Sequence, residues 1–149
     1  MDKGEDKIIY VGMCADIIHN GHINILKEGA KYGKVIVGLL SDNAMVSYKR
    51  KPILSYNTRY EVISSIKYVD KVIEQKTLDY SDNLYTLKPD IVIHGDDWKT
   101  GIQSKNRQNV INCLSEWNGK LIEIPYTSNI STTLIIKKIC NQFEISHIN

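Results

Sequence analysis

Tyr10–Tyr32, YVGMCADIIHNGHINILKEGAKY, decides how the remainder of the chain is read. It opens with an apolar run and passes through His19-Asn20-Gly21-His22. A helical pattern follows at once, with Ile23, Leu26 and Ala30 on one face. That is a strand, a tight loop and a helix N-terminus, with two imidazoles at the junction. The first turn of a helix leaves backbone N–H groups unpaired and carries a partial positive charge, so anions bind there. Two His side chains three apart, with a Gly between them, can face the same spot. The stretch reads as a seat for a phosphate chain, with imidazoles placed to stabilise charge as it moves.

Outward from this stretch, strands and helices alternate. Residues 1–6 form a polar lead-in, Lys7–Met13 the first strand, and about Gly21–Tyr32 the first helix, stopped by Gly33. Lys34–Leu40 is apolar almost throughout, as a strand buried on both faces must be. Ser41-Asp42 caps a short helical turn, and a basic loop, Tyr48–Pro52, follows. A helix from Ser55 to near Tyr68, a strand at Lys71–Ile73 and a short helix at Ser81–Leu87 come next. Strand four, Ile91–His94, leads into Gly95-Asp96-Asp97-Trp98 and a helix over about Lys105–Trp117. Strand five, Lys120–Ile124, is closed by Pro125, and a last helix covers about Thr132–Phe143. This order predicts an α/β fold built on an open, doubly wound, five-stranded parallel sheet with helices on both faces. Ligands in such sheets sit beyond the carboxyl ends of the strands, where the winding reverses. With strand order 3-2-1-4-5, strands one and four meet at that reversal, and the HNGH and GDDW loops flank one crevice.

The 149 residues fit one domain with a full core. A net charge of +2 lacks the strong basic excess of a nucleic-acid binder. Cys14, Cys113 and Cys140 are odd in number and far apart, which fits neither a disulfide framework nor a zinc site. The charged start MDKGEDK and the lack of a long apolar run point to a cytoplasmic protein, away from membranes. There is no Gly-x-Gly-x-x-Gly loop and no Walker-type P-loop, so a nucleotide would have to be held at the His-containing junction.

Each remaining candidate has a plain reading beside the chemical one. Ser131, Thr132 and Thr133 open a helix, either as an ordinary cap or as donors to a terminal phosphate. Lys49, Arg50 and Lys51 are either a solvated loop or a reach toward polyphosphate, and Lys49 and Lys51 share a side if the loop is extended. Arg59 opposes the dipole of its own helix, which a nearby anion would relieve. Asp96 and Asp97 form a turn, accept hydrogen bonds from a ribose or base, or help hold a divalent cation. Trp98 stacks on a base or covers the core edge, and Asp16 orients a backbone loop or a His. Cys14 carries no motif for nucleophilic catalysis.

Together these residues resemble a known family. His19-Asn20-Gly21-His22 is similar to the HxGH motif of the nucleotidyltransferase superfamily, whose fold is Rossmann-like. Ile130-Ser131-Thr132-Thr133, Tyr68–Ile73 and Gly95–Trp98 resemble its glycerol-3-phosphate cytidylyltransferase branch. VGMCADIIHNGHINIL, GLLSDNAMVSYKRKP and HGDDWKTGIQ resemble the cytidylyltransferase units that accompany phosphoenolpyruvate mutase in phosphonate biosynthesis. The resemblance implies CTP with Mg²⁺, a small phosphonate or phosphate ester as acceptor, pyrophosphate release and a homodimer. It implies catalytic roles for His19, His22, Lys49 and Arg59. It places the nucleotide against Gly12, Met13, Asp16 and Gly21, against His94 and the Gly95–Trp98 loop, and against Ser131, Thr132 and Thr133. Two positions depart from the branch: Met13 stands at a Gly and Tyr126 at an Arg. Both point away from glycerol-3-phosphate as acceptor. Lys51, Lys105, Arg107 and Tyr126 are the candidates for holding the acceptor.

Overall fold

Alternating side chains of the first strand, β1 (Ile8–Met13), enter two different cores. Ile9, Val11 and Met13 pack on one face of the sheet with Leu26, Val37, Ile63 and Ile93. Tyr10 packs on the other with Leu84, Val92, Trp98 and Val110. A strand buried on both sides has to sit at the centre, and it does. In this computed structural model, which describes residues 7–47 and 49–143, the sheet is parallel with order β3-β2-β1-β4-β5. The polar lead-in at residues 1–6 lies outside the described residues.

The other strands are β2 (Lys34–Leu40), β3 (Lys71–Gln75), β4 (Ile91–Gly95) and β5 (Lys120–Ile124). The helices are α1 (Asn20–Ala30), α2 (Asp42–Val46), α3 (Tyr56–Ser64), α4 (Ser81–Leu87), α5 (Ser104–Ser115) and α6 (Thr132–Gln142). Carboxylates pin the amino-terminal edge of the sheet. Asp90 accepts from the Ile8 N–H at 2.9 Å and Asp70 from the Val35 N–H at 2.8 Å. The opposite edge is left to the loops that the sequence singled out.

α1 and α5 end two residues before expectation, at Ala30 and Ser115, and two further boundaries shift for a visible reason. α3 ends at Ser64 rather than near Tyr68. Ser64 and Ser65 both turn their hydroxyls back onto the Glu61 carbonyl, and such local bonds compete with the helical ladder. β3 runs on to Gln75, two residues past the expected end, because it keeps its register with β2 as far as Leu40↔Gln75. That extension brings the buried Gln75 side chain to the site edge. Gln75 Oε1 accepts from the Tyr10 hydroxyl at 2.5 Å, and Asn83 donates to the same hydroxyl at 3.0 Å.

The Tyr10 hydroxyl lies over Gly38, in the space a Cβ would occupy. Gly38→Ala is therefore expected to lower the stability measured by urea denaturation by about 1–3 kcal/mol, the range for overpacking a tight core. An unchanged midpoint would show that Tyr10 moves aside freely.

Candidate active site

Two histidines cap α1 reciprocally. His19 is the N-cap, and its Nδ1 accepts from the Gly21 N–H at 3.1 Å. The Nδ1 of His22 accepts from the His19 N–H at 3.2 Å. Rings that accept at Nδ1 carry their proton at Nε2 when neutral. The ring centroids are 4.0 Å apart, and both rings line a cleft of about 360 Å³, within the range of small-molecule sites. Gly21 makes the cap possible: a Cβ there would come within 2.8 Å of the His19 ring. The expectation that α1 presents open backbone N–H groups changes accordingly. The Gly21 and His22 N–H groups are spent on His19, and α1 offers imidazole N–H donors in their place.

Both imidazoles are held neutral. Burial pushes His22 down to about 4, with the charges of His19 and Lys49 acting in the same direction. Burial also lowers His19.

The facing wall is the 125–133 segment. Ser131 caps α6, its Oγ accepting from the Leu134 N–H at 3.1 Å, and the Thr132 hydroxyl donates to the Ile17 carbonyl at 3.3 Å. Thr133 lines the cleft beside them. Ser131 thus does the capping job weighed in the sequence, and it also lines the cleft. The two walls are tied by Asn24 Nδ2 donating to Thr127 Oγ1 at 3.1 Å.

At the β4 end, His94 stacks on Trp98 with centroids 3.6 Å apart and planes 3° from parallel. Its Nδ1 sits 2.8 Å from the Gly95 carbonyl, which fixes the proton there and leaves Nε2 as an acceptor. Burial lowers its pKa and keeps it neutral. Trp98 is buried and donates to Glu123 at 2.8 Å, so it props His94 rather than offering an open stacking face. Asp97 lines the cleft, whereas Asp96 is turned away and accepts from the Tyr126 N–H at 3.0 Å. Gly12, Met13, Gly95 and Tyr126 line the cleft as expected.

Several charged candidates lie elsewhere. Arg59 is 0% exposed and absent from the cleft wall. It donates to the carbonyls of Leu54 (3.0 Å), Cys14 (2.8 Å) and Leu40 (2.8 Å) and to Asp42 (2.6 Å). The anion that relieves it is Asp42, not a phosphate. Asp16 is buried and does not face the cleft. Burial alone would raise its pKa, but the N–H groups of Leu54 and Ile53 together with Arg50 outweigh that and hold the carboxyl below its usual range. Asp16 thereby pins the basic loop to the loop after β1. Lys49 lines the cleft, and Lys51 does not. Lys105 is exposed away from the cleft, and Arg107 is committed to Glu123 at 2.9 Å, which removes both from the acceptor site. Sequence reading missed Leu40, Gln75, Leu78 and Tyr80, which also line the cleft. Only the apolar ends of the second and third strands hinted at them.

A model of the cytidylyltransferase-like family matches residues 9–138. The chain belongs to the cytidylyltransferase-like family. It is a nucleotidyltransferase domain with the Rossmann-like fold expected of it. The bifunctional protein HldE of Desulfatibacillum aliphaticivorans is 33% identical over 138 residues, covering 91% of this chain and 27% of that protein. The ethanolamine-phosphate cytidylyltransferase of Dictyostelium discoideum is 26% identical over 145 residues, covering 95% and 39%. The chain thus spans well under half the length of these two relatives. The FAD synthase of Archaeoglobus fulgidus is 34% identical over 104 residues, covering 66% of this chain and 74% of that one. Among solved structures, a lipopolysaccharide core biosynthesis protein from Thermoplasma volcanium GSS1 superimposes with a TM-score of 0.70 at 26% identity, covering 82% of this chain and 98% of that one. No helix among the described residues is long and apolar enough to cross a membrane.

Two outcomes follow from this geometry. Arg59→Ala leaves three carbonyls without their donor. It is expected to cost about 3 kcal/mol or more in urea denaturation, at roughly 1–3 kcal/mol for each buried group left unsatisfied. Unfolded, His22 titrates near 6.5 and folded near 4, so between these values the unfolded chain binds the extra proton. The His22 contribution to stability is therefore present above pH 6.5 and is lost as pH falls toward 4. NMR titration is expected to place the His22 midpoint near 4, and His22→Gln to flatten the fall in stability over that window. A midpoint near 6.5 would contradict the burial described.

Proposed function

We propose that this domain transfers CMP from CTP to the oxyanion of a small phosphonate or phosphate monoester, releasing pyrophosphate. The observation that carries the reading is the pair of Nε2–H donors held at one end of the cleft by the reciprocal cap. Two neutral, already ordered donors in one cleft suit a group whose charge grows during reaction. In the proposed step an acceptor oxygen attacks the α-phosphorus of CTP, a new P–O bond forms, and the bond to the β-phosphate oxygen breaks. Pyrophosphate leaves with that electron pair. His19 and His22 donate to the non-bridging and departing oxygens. Ser131 and Thr133, with the first N–H groups of α6, hold the rest of the triphosphate. His94, Gly95 and Asp97 border the nucleoside end.

No group of three or more His, Cys, Asp or Glu able to hold a metal exists among the described residues. Mg²⁺ would be carried by the triphosphate, whose charge it would neutralise; Asp97 is the one carboxylate lining the cleft among the described residues. A homodimer completes the reading drawn from the family resemblance. A phosphonate acceptor is favoured by the match to mutase-associated units and by Met13 and Tyr126. A phosphate-ester acceptor is the second reading, favoured by similarity to the ethanolamine-phosphate cytidylyltransferase.

Purified protein with CTP, Mg²⁺ and a panel of small phosphonates and phosphate esters is expected to release pyrophosphate, with CTP turned over faster than ATP. Absence of release across the panel would overturn the proposal. His19→Asn keeps an N-cap acceptor but loses the Nε2 donor. It is expected to lower kcat by about 100-fold or more with an unchanged circular dichroism spectrum, the scale seen when one transition-state donor is removed. Turnover within a few-fold of the wild type would count against the role given to the ring.

A further inference from the structure

The end of β1 divides the cleft in two. Strand order puts the α6 N-terminus, His94 and Asp97 on the β4 side, and Leu40, Gln75 and Leu78 with Lys49 on the β2–β3 side, while Tyr80 lies under Gly12 at the end of β1. If the triphosphate lies between α1 and α6, the incoming acceptor occupies the β2–β3 side, because attack and departure must be on opposite faces of the phosphorus. Lys49 is the only Lys or Arg among the described residues lining the whole cleft, and Asp97, on the far side, is the only carboxylate.

Among the described residues the acceptor side therefore has one cation, suited to an oxyanion head, and nothing anionic to meet a positive tail. Its wall is Leu40, Leu78 and Tyr80, closed by Met13 and Cys14. Gln75 and the Tyr80 hydroxyl are the polar exceptions, and both are uncharged and buried; Gln75 Oε1 accepts from Tyr10 and its Nε2 donates to the Thr77 carbonyl at 2.9 Å. An aromatic face can substitute for a carboxylate in binding an ammonium group. That route is closed here, since Tyr80 is 5% exposed and Trp98 is covered by His94. An ammonium tail would lose water, gain no counter-charge, and lie in the field of Lys49.

We propose that the acceptor carries a short uncharged tail, alkyl or hydroxyalkyl, and that the site discriminates against aminoalkyl acceptors of the same length. This rests on the cytidylyl-transfer reading and sharpens it. The test is kcat/KM for pyrophosphate release with CTP, Mg²⁺ and three matched acceptors: ethylphosphonate, 2-hydroxyethylphosphonate and 2-aminoethylphosphonate. The better of the two uncharged acceptors is expected to exceed the aminoethyl compound by at least about tenfold, one decade being about 1.4 kcal/mol. Leu78→Glu places a carboxylate on the half-buried wall and is expected to shrink or reverse that ratio. Equal or faster turnover of 2-aminoethylphosphonate by the wild type overturns the proposal while leaving cytidylyl transfer intact. No release with any acceptor overturns cytidylyl transfer itself, and the tail assignment with it.

Discussion

Everything at the site depends on two backbone-to-ring hydrogen bonds. By accepting the Gly21 and His19 N–H groups at Nδ1, the two imidazoles satisfy donors that any helix leaves open, and in doing so fix where their own protons sit. The macrodipole of α1 then reaches the ligand through the rings, and the donors stand farther out in the cleft than backbone N–H groups would. In the proposed reaction, the contacts that start the helix also set the donors. Reach, tautomer and orientation are set when the helix forms, before any ligand is bound.

Around this pair the loops are held by buried ions that face inward. Arg59 gathers the carbonyls of Cys14, Leu40 and Leu54, which belong to three separate connections at the carboxyl edge of the sheet. Asp16 takes Arg50 and two backbone N–H groups of the 49–54 loop. One buried cation and one buried anion thus organise the rim, and Lys49, next to Arg50, is the positive group they leave facing the cleft. Arg107 and Glu123 brace the other side through Trp98, beneath His94.

The frame was legible because it rests on local patterns. A two-faced apolar β1, an almost fully apolar β2 and a Gly or Pro near several element ends point to a wound parallel sheet, and its crossing point locates the crevice. His19, His22, Ser131 and Thr133 were legible because residues at a strand-to-helix junction have little choice of direction. Arg59 and Arg107 misled, for charge alone does not tell whether a side chain faces a ligand or a distant part of the chain, and Asp16 met its plain reading, orienting a backbone loop, rather than the nucleotide contact the resemblance implied. Gln75, Leu78 and Tyr80 were missed because only the register of β3 against β2 brings them to the rim, and register is a long-range property. Gly21 is the reverse case: its motif flagged it, but the reason, room for the His19 ring, is visible only in the folded chain.

The scarcity of full charges on the cleft wall also bears on how a ligand is captured. Among the described residues the wall itself carries one lysine and one carboxylate, and its neutral imidazoles, hydroxyls and peptide N–H groups act only at contact. Encounter is then close to an uncharged collision, and discrimination follows from outline and donor spacing. Stray anions such as sulfate or chloride would find little to linger on, and moderate ionic strength would leave association nearly untouched.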